Sequence, residues 1–406
     1  MEAMFGRVCG LDIHKALVRA CVRLRQADGS ATEETRCFAT TTRNLPALGD
    51  WLRQCGVRHV AMEATGVYWK PIWNLLEGEF ERVLVNARRV KNAPGRKTDV
   101  KDCQWLAHLL ACGLLRGSFV PRRPQRELRE LTRHRAQLVG ERARAANRIE
   151  KTLEDANIQL GAVVSHLLGV SSRDMLRRLA RGETDARSLA ELARSKLRGK
   201  IPQPRQALEG RLTERHRFML ERLPDHLECV EGQIDRFEAL SRPFEQSPAA
   251  LAQIPGVAER AAQNIASEIG IDMSPFPTER RLASWVGLSP GNNESAGKRK
   301  SGRTTKGNRR LRGTLVQCAW AATRRKGSYF QAPYRRLAPR RGKKRALVAV
   351  AHSLLTVIWH ILKHGVERQD LGADCFDRQK GEQLLRHHVK RIADLGHDAT
   401  LHQRAA

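Results

Sequence analysis

The chain has 406 residues and a formal charge of +30, with 73 Lys and Arg against 43 Asp and Glu. That length supports two or three domains with real cores, and that charge calls for a polyanionic partner, because clustered Lys and Arg displace the counterions condensed on nucleic acid. There is no run of about 18 apolar residues and no secretory pattern in MEAMFGRVCG, which argues against a membrane or secreted protein; nine scattered cysteines without CxxC spacing point to reduced thiols in the cytosol and against structural zinc.

Residues 5–90 alternate in a strand and helix rhythm. Residues 7–12 and 16–24 read as strands around a tight connection, and 35–41 as a third strand. Residues 45–54 have helical spacing and stop before Gly56, a C-cap signal. Residues 59–62 follow as a short strand, 68–76 as a helix and 82–86 as an apolar strand. The expectation is an α/β domain over residues 1–120, a mixed sheet covered by helices.

From about 123 the pattern changes, with Leu, Val and Ile at three-to-four spacing among many charges, as in long exposed helices or a coiled coil. Pro202 and Pro204 interrupt it, and a second helical stretch runs over 205–240. Residues 121–245 are therefore read as a helical spacer, an oligomerisation arm in one version. Residues 246–366 form a third, mainly helical region that opens with LAQIPGVAERAAQNIASEIG. Its IPGV turn resembles a helix-hairpin-helix element, whose backbone N–H groups can meet a phosphate. Charge is uneven: 18 basic and 12 acidic residues in 1–120, 26 and 19 in 121–250, 29 and 12 in 251–406. Residues 295–366 hold 19 Lys or Arg and no Asp or Glu, an electrostatic footprint where a solvated surface would interleave signs. The tail, 367–406, is mixed in charge and read as peripheral.

Four carboxylates stand out in the first quarter. Asp12 ends one apolar strand, Glu63 ends another just before Gly66, and Asp99 and Asp102 differ by three, so that on a helix they face the same way. Hard oxygen ligands in this number suit one or two Mg²⁺ ions, with Mn²⁺ as a substitute, stabilising the attacking and leaving oxygens of an in-line displacement. The plainer reading has Asp99 and Asp102 favoured by a helix dipole and Asp12 and Glu63 merely ending strands. Singly that is the commoner case; jointly the four favour a metal site.

GLDIHK, EATGVYWKP, VNARRVKNAPGRKTDVKDCQWLAHLL, LAQIPGVAERAAQNIASEIG and LASWVGLSPGNNESAGKRKSGRTTKGNRRLR together resemble the DEDD transposases of the insertion sequence family one-ten. The resemblance covers nearly the whole chain apart from the tail. It implies a ribonuclease H-like (RuvC-like) N-terminal domain, a coiled-coil spacer and a C-terminal transposase domain. It places Asp12, Glu63, Asp99 and Asp102 in the metal-binding tetrad, and Ser295 as the serine that attacks DNA and holds it as a phosphoserine. It further implies target and donor DNA as substrates, a bridge RNA that pairs with both, a homodimer or homotetramer with composite sites, and a bacterial, nucleoid-associated location.

A free serine hydroxyl is a weak nucleophile and needs a base or a metal. Ser295 lies in a Gly, Asn and Ser rich loop with Lys298, Arg299, Lys300 and Arg303 nearby, and Lys306, Arg309 and Arg310 continue the basic run, all suited to holding a phosphate. Ser301 and Thr304 are weaker candidates for the nucleophile. Arg96 and Lys97, with Arg89 and Lys91, flank the second carboxylate pair and suit substrate phosphates, solvated loop charge being the alternative. Trp69, Trp73 and Trp285 are read as core residues before base-stacking ones, and His14 as a hydrogen-bond partner near Asp12. Two rival functions fit the same residues: a junction-resolvase-like nuclease that activates water, and a nucleic-acid-binding protein without catalysis.

Overall fold

The computed structural model describes residues 4–64, 66–86, 90, 102–242, 249–291, 293–295, 297–367, 369–398 and 400. The chain divides into two compact units, Met1–Val120 and Pro121–Ala406.

The first unit is built on a five-stranded mixed sheet. Strands β1 (Arg7–Ile13), β2 (Leu17–Arg25), β3 (Ala31–Ala39), β4 (His59–Glu63) and β5 (Glu81–Val85) lie in the order β3-β2-β1-β4-β5. The first three pair antiparallel; β4 runs parallel to β1 and β5 parallel to β4. Helix α1 (Pro46–Gln54) starts on a proline at its first turn, where the missing N–H costs nothing, and stops before Gly56 at φ +64. It shares one face of the sheet with α2 (Trp69–Leu75), burying Cys9, Leu11, Ile13, Val60 and Met62 with Leu48, Leu52 and Ile72. Helix α3 (Asp102–Ala111) covers the other face, burying Val8, Cys21 and Ala61 with Cys103, Ala107, Leu110 and Ala111. Apolar side chains on both faces make β1 and β4 read as continuous apolar runs, the signature of a sheet covered on both sides.

These elements lie within one residue of the expected bounds except β3, which starts at Ala31 rather than 35. Its extra residues, Ala-Thr-Glu-Glu, are exposed on an edge strand; charge there blunts edge pairing, and the polar run hides the strand from a search for apolar alternation.

In the second unit, α4 (Arg123–Asp155) and α9 (Glu214–Ser241) pack antiparallel. Leu138 meets Val230 and Ile234, while Ala145, Ile149 and Leu153 share a core with Leu220, Leu223 and Leu227. Arg135 pairs with Glu238 at 3.2 Å near one end and Asp155 with His216 at 3.0 Å near the other. The apolar stripes that suit a coiled coil are thus covered within the chain. Between them run α5 (Leu160–Val163), α6 (Val170–Ala180), α7 (Ala186–Glu191) and α8 (Pro202–Ala207). Pro202 and Pro204 start α8 rather than merely breaking a helix, and the second long helix begins at Glu214, later than the expected 205.

The C-terminal part carries α10 (Ala249–Ala252), α11 (Glu259–Ile269), α12 (Glu279–Val286), a hairpin of β6 (Asn293–Ser295) and β7 (Lys298–Ser301), then α13 (Arg309–Arg324), α14 (Gln331–Arg341), α15 (Lys343–His364) and α16 (Cys375–Asp394). By length and composition α15 suffices to cross a membrane. Here Ala346, Val350, Leu354 and Ile358 are buried, and Trp359 Nε1 donates to the Phe276 carbonyl at 2.8 Å, so α15 serves as the core helix of this part. The IPGV turn joins α10 to α11. Gly256, at φ +81, lies so close to α13 that a Cβ would stand 2.3 Å from the Cys318 carbonyl oxygen and 2.6 Å from Ala322 N. Its glycine serves helix packing.

Candidate active site and basic surface

Asp12 and Glu63 end neighbouring parallel strands. Leu11 of β1 pairs with Met62 of β4, so the next step along both strands sets Asp12 beside Glu63, about 5 Å apart across the sheet. Side chains alternate, and Gly10 and Ala61 face α3, so Asp12 and Glu63 face it too. Helix α3 runs against β1: its C-terminal Leu110 and Ala111 pack with Val8, while its N-terminal turn lies over Gly10. A Cβ on Gly10 would fall 2.1 Å from the Cys103 carbonyl oxygen. Only glycine permits that approach, and it brings Asp102, the first residue of α3, to the end of the sheet where Asp12 and Glu63 stand. Burial raises the Cys103 thiol, and the charge of Asp12 adds to the rise, an independent mark of how close the strand carboxylate lies to this turn. The α3 dipole favours Asp102 at its position.

His14 Nε2 lies 3.1 Å from Asp12 Oδ2, the hydrogen-bond role expected of it. Arg19 is a residue the sequence reading passes over. It pairs directly with Asp12 in the β1–β2 ladder, so the two side chains share the α3 face. Following the tight turn and counting the register back from it would have located that cation. Asp99, Arg96, Lys97, Arg89 and Lys91 lie outside the described residues. Among the described residues no group of three or more His, Cys, Asp or Glu side chains stands ready to hold a metal ion. The carboxylates whose backbone lies toward this end of the sheet, Asp12, Glu63 and Asp102, are hard oxygens of the kind that Mg²⁺ or Mn²⁺ takes.

Ser295 sits in the second unit, at the end of β6. It pairs with Lys298 of β7 across a turn through Gly297 at φ +72. The loop carrying this hairpin is closed by a neck in which backbone meets backbone. Pro290 bridges Thr304, Gly291 N donates to the Arg303 carbonyl at 2.9 Å, and a Cβ on Gly307 would lie 2.3 Å from Val286 C. Gly287, at φ +84, faces Gly307 N and the Thr305 carbonyl at 2.7 Å in the same sense. The glycines of GLSPG and TTKGN are thus what lets two limbs lie side by side beneath the serine.

A buried ionic network ties this neck to the long helix α4. Glu268 on α11 is almost fully buried and accepts a two-pronged contact from Arg133, 2.6 Å from Nε and 2.8 Å from Nη2. Arg129 stands 3.5 Å away, and Asn308 Nδ2 donates to Glu268 at 2.7 Å. Asn308 Oδ1 in turn caps α13, accepting from Arg310 N and Leu311 N. Burial alone would raise the Glu268 carboxyl; Arg133, Arg129 and Asn308 outweigh it and hold the group below its ordinary value. Arg129 bears the desolvation cost and is drawn down to about 10.

Of the basic candidates, Lys298, Arg303, Lys306, Arg309 and Arg310 are exposed, and Arg299 and Lys300 lie in β7. Arg310 is also structural, donating from Nη1 to the Arg133 carbonyl at 3.0 Å. Trp73 is buried and meets Trp69 edge to face at 5.8 Å, and Trp285 packs on Phe276 at 5.3 Å, as expected of core residues.

Comparison with known proteins finds two family models along the chain. Residues 9–158 match the family model of the IS110 DEDD transposase domain, and residues 249–335 match that of the transposase IS116/IS110/IS902 family. A protein named as transposase y4rJ from Sinorhizobium fredii is 29% identical over 293 residues, 66% of this chain and 67% of its own length. A Pseudomonas aeruginosa protein named as a family 20 transposase is 24% identical over 322 residues, 77% of this chain and 86% of its own. The chain belongs to the IS110 family of DEDD transposases.

Proposed function

We propose that this transposase cuts and rejoins target and donor DNA through a covalent bond to Ser295, with divalent cations at Asp12, Glu63, Asp99 and Asp102. The observation that carries the reading is that the strand register sets Asp12 beside Glu63 and that the contact of α3 with Gly10 starts the helix of Asp102 toward the same end of the sheet. The strand order β3-β2-β1-β4-β5, three antiparallel strands followed by two parallel ones, supports a ribonuclease H-like (RuvC-like) assignment for this unit. A bound divalent cation supplies Lewis-acid stabilisation of the charge that develops on the attacking and leaving oxygens.

The chain's own groups supply the rest. Lys298 and Arg303, exposed beside the hairpin, hold the scissile phosphate. The Ser295 hydroxyl forms an O–P bond, one P–O bond to a deoxyribose breaks, the hydroxyl proton leaves to solvent, and the departing sugar oxygen takes one up. A second strand's hydroxyl reverses the step on the phosphoserine, so that cutting and joining need no outside energy source. Target choice rests on a bridge RNA, which accounts for a broad basic surface without a base-reading helix motif: sequence is then read by pairing, and the protein reads backbone. The site is completed in a homodimer or homotetramer, which supplies Ser295 in cis or in trans.

The test is a covalent adduct. Protein, bridge RNA, both DNAs and Mg²⁺ are mixed, and denatured protein is examined for attached DNA. An adduct in the parent chain that vanishes in Ser295→Ala supports the reading, with Asp12→Asn also lacking it while still binding DNA. An adduct that persists in Ser295→Ala excludes Ser295; hydrolysed products with no adduct in any variant favour activated water instead.

A further inference from the structure

All seven tryptophans lie among the described residues, and six are buried or half-buried; Trp320, on α13, is 42% exposed. Its indole is not a stray apolar group on a polar face. The Arg324 guanidinium lies over its ring, 4.8 Å from the centroid, and Tyr334 of α14 meets it edge to face at 6.4 Å. Next to it the helix surface shows Gln317 and Ala321, small or neutral side chains, and α13 ends in Arg324, Arg325 and Lys326, all exposed. The whole stretch 295–366 holds no Asp or Glu. An aromatic face met by a second ring and bordered by cations, on two helices that carry no Asp or Glu, is the composition of a base-stacking platform: π-surface for a nucleobase, positive charge for its phosphate.

We propose that Trp320, braced by Tyr334 and Arg324, stacks an unpaired base of the DNA substrate. Strand cleavage and exchange leave bases on the cut strand without a partner, and a platform of this kind holds them without reading their sequence, since every base has a π-face. The site is about 18 Å along α13 from the Asn308 cap, twelve residues at the helical rise. It therefore serves strand segments beyond the scissile phosphate rather than the phosphate itself. The inference rests on the DNA substrate that the family implies, and not on Ser295 or the carboxylates.

The test is equilibrium binding of the full-length chain to fluorescein-labelled oligothymidylate, oligouridylate and a duplex hairpin, without divalent metal so that cleavage plays no part. Trp320→Ala is expected to weaken oligothymidylate binding about 5- to 150-fold, the range of one base–aromatic stack, and to change duplex binding less than about twofold. The slope of log affinity against log salt stays the same, because no phosphate contact is removed. Trp320→Phe keeps most of the single-strand affinity, which separates stacking from misfolding. Equal losses on single strand and duplex, no loss at all, a loss confined to oligouridylate, or a change of oligomeric state in sedimentation would each overturn the proposal. A missing Ser295 adduct leaves this measurement untouched.

Discussion

The carboxylates and the serine are positioned by opposite means. In the first unit Asp12 and Glu63 stand on a sheet buried on both faces and Asp102 on the helix packed against it, so dozens of small apolar contacts hold them and no single side chain is decisive. In the second unit Ser295 rides on a two-stranded hairpin whose neck depends on three glycines and, behind them, on one buried glutamate. Distributed packing tolerates loss at most positions and fails only where backbone touches backbone. Point contacts fail wherever one is removed.

The largest effect falls on the single place where the sheet resembles the neck. Gly10→Ala forces a Cβ to within 2.1 Å of the Cys103 carbonyl oxygen and 2.5 Å of Ala107 N, so α3 must lift from the sheet. A cost of about 3 kcal/mol is expected, the upper end of overpacking, read as a lower melting temperature. Strand cleavage should fall further than the lost stability explains, because Asp102 moves away from Asp12. Gly307→Ala meets Val286 C at 2.3 Å, but its strain is confined to the neck. Hydrogen exchange should then rise over residues 286–308 while the sheet keeps its protection. If Gly307→Ala loosened the first unit as much as Gly10→Ala does, the contrast between distributed and point support would fail.

Glu268→Gln probes the support behind the neck. It removes the charge that balances Arg133 and Arg129, of which Arg133 is 39% exposed and so partly screened. An expected loss of about 2–3 kcal/mol follows, below the range for a fully buried pair. The pH dependence has a definite sign. The Glu268 carboxyl is held below its ordinary 4.5 in the folded chain, so its contribution is complete above that value and drains away as pH falls through the lower folded one. Denaturation midpoints of the parent chain should therefore drop more steeply below about pH 4.5 than those of Glu268→Gln, and the two curves should run parallel at neutral pH. Parallel curves throughout would mean that the Glu268 carboxyl binds its proton equally in the folded and unfolded chain, so that Arg133, Arg129 and Asn308 give it no net support.

How much of this was legible in the sequence follows from the same contrast. Elements covered on both faces write themselves as apolar runs, and β1, β4, β5, α1 and α2 are readable to within a residue. β3 is not, since an edge strand that must stay unpaired is written in Thr and Glu. Asp12 and Glu63 are visible because they end such runs. Arg19 is less visible because its partner is set by ladder register, which shows only when the pairing is counted back from the tight turn. Glu268 looks like one more charge on a helix; only its burial against α4, more than a hundred residues earlier, makes it structural. Trp320, in VQCAWAATRR, carries no local mark that sets it apart, and its exposure depends on how α13 lies against α14 and α15. Ser295 stands out through family resemblance alone, for nothing in NNESAGK marks one loop serine among several.

The smallest effect concerns the paired long helices, which lie on neither side of the contrast. Thr213 caps α9 in a capping box, its side chain meeting His216 N while His216 Nδ1 accepts from Thr213 N at 3.2 Å. Removing the hydroxyl in Thr213→Ala leaves one orphan donor at a helix end, a loss of about 1 kcal/mol. Because α4 and α9 cover each other's apolar stripes, the loss should stay local: a melting point lower by a few degrees, with DNA binding, adduct yield and oligomeric state unchanged at permissive temperature. A tenfold fall in adduct yield at so small a cost in stability would carry a different meaning. The antiparallel pair would then transmit subunit geometry to the serine, and the contrast between the two units would need a third term, the arm itself.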